Sequence, residues 1–121
     1  MSKMVTTRLM SLVGALALAS CSAVALEAAG QDAEHVKKGE AVYTAQKCSM
    51  CHSVAGKGNK LSALDGVGKK LSADEIRQWI TNPTEMTAKT KSTKKPPMPA
   101  KYGKLPKEEV DALVAYMQSL K

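Results

Sequence analysis

The chain has 121 residues, no Phe, 3% aromatic residues and a net charge of +7, which falls to +5 without Lys3 and Arg8. A length of this order allows one domain. So few aromatic side chains exclude a conventional aromatic core, and core burial alone would be marginal in the ~90 residues beyond the leader. A buried cofactor would supply the missing apolar mass.

Residues 1–25 read as a secretory signal. Lys3 and Arg8 precede an apolar run from Leu9 to Ser20, and no acid occurs before Glu27. The run is far shorter than the ~20 apolar residues a spanning helix needs. Two cleavage patterns overlap. Leu18-Ala19-Ser20-Cys21 resembles a bacterial lipobox, in which Cys21 becomes an acylated first residue and a membrane tether. Ala23-Val24-Ala25 is a small-x-small site that would release a soluble product. Either places the domain outside the cytoplasm, in the periplasm. Residues 26–32 read as a short linker and 33–121 as the folded domain.

The first predicted helix runs from about Ala33 to Gln46, with Asp32 as N-cap and Val36, Gly39, Val42 and Tyr43 sharing one face. Gly39 weakens a helix, so it marks a close helix crossing. His35 reads as a solvated helix residue. Cys48-Ser49-Met50-Cys51-His52 follows. Two thiols at this spacing, with an imidazole after the second, match covalent attachment of haem. Each thiol can add to one vinyl group, and His52 can bind the iron through a neutral nitrogen. Zinc would need four Cys or His ligands, but Cys21 lies in the leader and His35 stands alone. A thioredoxin-like dithiol would need a βαβ context, and a plain disulfide would leave His52 unexplained.

Ser53 to Lys70 reads as a long loop, of the kind that encloses something. The second helix opens on the capping box Ser72-Ala73-Asp74-Glu75, turns Ile76, Trp79 and Ile80 inward, and stops at Asn82-Pro83. Pro83 to Leu105 reads as a second loop, with Pro96, Pro97 and Pro99 around Met98. The third helix starts near Pro106 and carries the stripe Val110, Leu113, Val114, Met117 and Leu120. No strand-like alternation occurs, so the fold class is all-α.

Of the seven Met, Met1, Met4 and Met10 belong to the leader, Met50 to the attachment motif and Met117 to the last helix. Met98, stiffened by its prolines, is the favoured second iron ligand. Met86 reads as pocket lining, and most Met are simple core fillers. Lys89, Lys91, Lys94, Lys95, Lys101 and Lys104 cluster around Met98. They form either a solvated loop or a basic collar for acidic redox proteins or respiratory complex subunits. Nucleic acid is not an expected partner.

These residues resemble the small class I monohaem cytochromes c of bacteria. The resemblance rests on the Cys-x-x-Cys-His motif, Leu64-Asp65-Gly66-Val67-Gly68, Trp79-Ile80-Thr81-Asn82-Pro83, Met98-Pro99 and Leu113-Val114-Ala115-Tyr116, in that order. It covers about residues 33–121. It implies a small cytochrome c fold, three or more helices wrapped around one covalently bound haem c, with His52 and Met98 as axial ligands. It also implies that the first and last helices cross, Gly39 and Tyr43 meeting Leu113 and Tyr116, and that Trp79 lies near a haem propionate. The family usually has Pro where this chain has Ser62, a position whose carbonyl accepts from the axial His ring. Tyr43 stands where Phe is frequent. The implied function is one-electron transfer without enzymatic turnover; the alternative is a haem enzyme or gas-binding protein with an open sixth site.

Overall fold

The computed structural model describes the backbone of residues 21–121 and side-chain surroundings from Asp32 onward. The leader, with Leu18, Ala19 and Ser20, lies outside the described residues, and so does the side chain of Cys21. The order of elements is α1 (Cys21–Ala45), β1 (His52–Val54), β2 (Lys57–Gly58), β3 (Ser62–Ala63), α2 (Val67–Lys70), α3 (Ala73–Thr81), α4 (Pro83–Thr90) and α5 (Lys107–Ser119). Single 3₁₀ turns occupy Cys48–Met50 and Ala100–Lys104. The fold is predominantly helical, as expected for a small cytochrome c.

Packing of α1 on α5 is the most extensive contact between any two elements. A Cβ on Gly39 would collide with the Ala112 carbonyl and with Tyr116, so only Gly lets the two backbones touch. Beside the crossing, the rings of Tyr43 and Tyr116 meet edge to face with centroids 5.7 Å apart. Val42, Tyr43, Ile76, Ile80, Val110, Leu113, Val114 and Met117 complete one core. They include most of the apolar faces read from periodicity.

α3 begins as its capping box dictates. The Ser72 hydroxyl accepts from the Glu75 N–H at 3.2 Å, and the Glu75 carboxylate accepts from the Ser72 N–H at 2.8 Å. The Ser72 N–H, and after it the Ser72 hydroxyl donating at 3.0 Å, hold the Glu75 carboxyl below its usual pKa. Arg77 of α3 and Lys107 of α5 both pair with Asp111, at 2.7 and 2.6 Å, and depress its carboxyl.

Three segments differ from the sequence reading. The helix expected from Ala33 spans Cys21–Ala45 among the described residues, so the segment expected as a linker is helical and Asp32 is interior rather than a cap. Leu26, Glu27, Ala28, Ala29 and Gln31 of that stretch are strong helix formers, which outweigh Gly30. In the first expected loop, β1 pairs antiparallel with β2 and parallel with β3, Ser53 facing Ala63. Strands of two and three residues are too short to show alternation. In the second, Pro83 ends α3 and also opens α4, because the N1 position of a helix tolerates its missing N–H.

Candidate functional site

α1 is broken by Lys47, which adopts the left-handed conformation at φ 56°. The chain then winds into a tight turn, with Met50 N–H bonded to Lys47 O and Cys51 N–H to Cys48 O, both at 3.1 Å. Cys48, Cys51 and His52 therefore leave one compact turn, each half-buried. Cys48 and Cys51 are not joined in a disulfide. Burial pushes the Cys48 thiol up, partly offset by its backbone hydrogen bond and by Lys101.

The imidazole of His52 is fixed by the small sheet. His52 and Ser62 are register partners across β1 and β3, and Leu64 N–H donates to Ser53 O at 2.8 Å. This brings the Ser62 carbonyl to 3.0 Å from His52 Nδ1. A carbonyl only accepts, so Nδ1 carries the proton and Nε2 keeps its lone pair. Burial lowers the His52 pKa, partly offset by the bond to Ser62, and so favours the neutral ring. The carbonyl that Pro usually supplies in the resembling family is here supplied by Ser62. Tyr43 adds a second hold, its hydroxyl donating to the His52 carbonyl at 3.3 Å. Burial pushes the Tyr43 phenol up to about 12.

Cys48, Cys51 and His52 open onto a cavity of about 760 Å³, shared with Trp79, Met98 and Tyr102. That volume lies within the ~300–1,000 Å³ typical of pockets that bury an organic cofactor. Ile76, Ile80, Leu113 and Met117 give it an apolar floor. An apolar cavity with two thiols, a fixed nitrogen donor and a thioether fits a flat iron macrocycle. Among the described residues, no three His, Cys, Asp or Glu side chains converge as a metal-binding group, so the zinc alternative has no ligand set.

The sequence-predicted residues Cys48, Cys51, His52, Trp79 and Met98 thus share one cavity. Met86 does not. It is 4% exposed and lies on the face of α4 near Gln78 and Thr81 of α3. The expectation that it lines the pocket fails because α4 turns it to the other side, while the neighbouring Thr87 reaches the cavity. His35 is exposed on α1, as expected. Two contributors escaped the sequence reading. Tyr102 lines the cavity from the turn after Met98-Pro99. Asn59 bonds Met50 O at 3.0 Å and Leu61 N at 2.9 Å, and so ties the attachment turn to the segment that carries Ser62. A lone aromatic beyond the prolines and an Asn in a Gly-rich loop were the available signals.

The family model described as Cytochrome c matches residues 36–121. No curated protein and no solved structure gives a significant match. A turn that offers two thiols and an imidazole to an apolar cavity lies inside the matched region, and the chain belongs to the cytochrome c family, as an electron-transfer haem protein whose haem c is covalently attached.

Proposed function

We propose that this chain is an exported one-electron carrier with thioether bonds at Cys48 and Cys51 and axial iron ligands at His52 Nε2 and Met98. The observation that carries this reading is the hydrogen bond from His52 Nδ1–H to Ser62 O. It leaves a lone pair on Nε2 in the cavity that Met98 also lines. Bound haem supplies the one-electron iron couple, which a His/Met pair biases toward higher potential. The chain's part is to fix both ligands, keep water from the ring and present one edge. Trp79 is suited to donate its indole N–H to a propionate.

With His52 and Met98 both holding the iron, no position would be left for substrate, which supports a carrier rather than an enzyme. Lys47, Lys94 and Lys101 line the cavity, and Lys89, Lys91, Lys95 and Lys104 are exposed nearby in sequence. We assign them to steering an acidic redox protein or respiratory complex subunit into a brief contact. Transfer rates to such a partner fall as salt rises, and salt-independent rates would remove the collar. The basic start and apolar run of residues 1–20 support export to the periplasm, with Cys21 as the candidate lipid tether.

Carbon monoxide tests the ligand set. The ferrous wild type binds it slowly or not at all, while Met98→Ala binds it readily and with a changed visible spectrum. Rapid binding by the wild type would favour the enzyme or gas-binding alternative. An unchanged spectrum in Met98→Ala would remove Met98 as a ligand.

A further inference from the structure

The segment that bears Met98 is lightly held. It leaves α4 through Lys91, in the left-handed conformation, and Ser92 N–H closes the helix end on Thr87 O at 3.0 Å. From Thr93 to Pro99 most residues are exposed, and three of them are prolines without an N–H. Among the described residues, its one long-range hydrogen bond to the rest of the molecule comes from Lys94. The Lys94 ammonium donates to the Leu61 carbonyl at 2.9 Å. That acceptor is the carbonyl immediately before Ser62, whose own carbonyl orients His52. Leu61 is in turn fixed through its N–H by Asn59. Lys94, Leu61, Ser62 and Met98 all line the same cavity. One side chain thus bridges the segment carrying the thioether and the segment holding the imidazole.

We propose that Lys94 is a positioning residue: its ammonium clasps the Met98 segment to the Leu61–Ser62 edge and sets how readily an outside ligand displaces the Met98 sulfur. The inference rests on Met98 being an axial ligand. A segment with few bonds opens locally at low free energy, so one charge-assisted hydrogen bond is a large share of what keeps it shut. Lys94 therefore differs from its neighbours. Its ammonium has a backbone acceptor in a distant segment, the Leu61 carbonyl.

Imidazole binding to the ferric holoprotein, followed in the visible spectrum, tests this. At a pH about two units above its own pKa the imidazole probe is neutral, so loss of a positive charge does not by itself change its approach. Lys94→Met keeps the stem without the donor and is expected to raise imidazole affinity by about fivefold, the factor that corresponds to the ~1 kcal/mol of one net hydrogen bond. Lys89→Gln removes the same charge without touching the clasp and is expected to leave imidazole affinity at the wild-type value. Lys94→Arg keeps a donor and is expected to restore most of the difference. Equal affinities in Lys94→Met and Lys89→Gln would overturn the clasp. So would a Lys94→Arg protein indistinguishable from Lys94→Met, since packing rather than donation would then be at work. If the wild type already binds imidazole as readily as Met98→Ala, the Met98 assignment fails first and takes the clasp with it.

Discussion

The segments that carry the two proposed iron ligands are built on different principles. His52 stands on a cross-linked base: the strand register with Ser62, the Ser53–Leu64 bond, the Tyr43 hydroxyl and the Asn59 bridge all converge within a few residues of it. Met98 stands on a chain with few hydrogen bonds, stiffened by Pro96, Pro97 and Pro99 and tied across by Lys94. Hydrogen bonds fix where a group sits, whereas proline mainly reduces the conformations the open chain can reach. The comparison teaches that one ligand is held by partners in the folded state and the other largely by limits on its alternatives. On the proposed ligation the imidazole would accordingly be the permanent ligand and the thioether the exchangeable one.

Three substitutions break or sharpen this contrast. The largest effect comes from removing the support common to both sides. Gly39→Val would force α1 from α5 and is expected to cost about 3 kcal/mol or more. Thermal unfolding of the holoprotein should fall steeply, with both ligands affected together. Pro97→Ala acts on the thioether side alone. Restoring chain freedom there should cost about 0.4–1 kcal/mol and raise the rate of imidazole entry, with His52 left in place. A Pro97→Ala protein with unchanged ligand entry would argue that packing, not chain stiffness, holds Met98. The smallest effect is expected at the imidazole side. Ser62→Ala keeps the backbone carbonyl and should change stability by less than about 0.5 kcal/mol, with the reduction potential at the wild-type value. A clear shift of potential would show that the hydroxyl, and not the carbonyl, matters to His52.

The two sides were also unequally legible in the sequence. The attachment motif, the capping box at Ser72 and the stripe from Val110 to Met117 each depend on local chemistry at fixed spacing, and each reappears in the structure. Gly39 could be read as a crossing because a glycine within an apolar helical face needs a packing reason. α4 escaped because Pro83 signals an end as readily as a start, and Pro-Thr-Glu-Met-Thr-Ala-Lys-Thr offers Met86 as its one large apolar residue. The three short strands escaped because their pairing is tertiary, fixed by His52 and Ser62 meeting rather than by any pattern within a strand. The Lys94–Leu61 bond joins residues 33 positions apart, a distance no local rule spans.

The crossing at Gly39 has a consequence for how the molecule comes into being. Its partner residues Ala112 and Tyr116 lie far downstream of it, and the Leu120 carbonyl of the same C-terminal side receives the Gly68 N–H at 2.9 Å. Closure of so long a loop must precede any reward from the contact, so the nascent polypeptide has no self-sufficient half. It stays open until α5 has been made. Trimming the final helix would leave the cysteine turn without a floor, however intact its own residues.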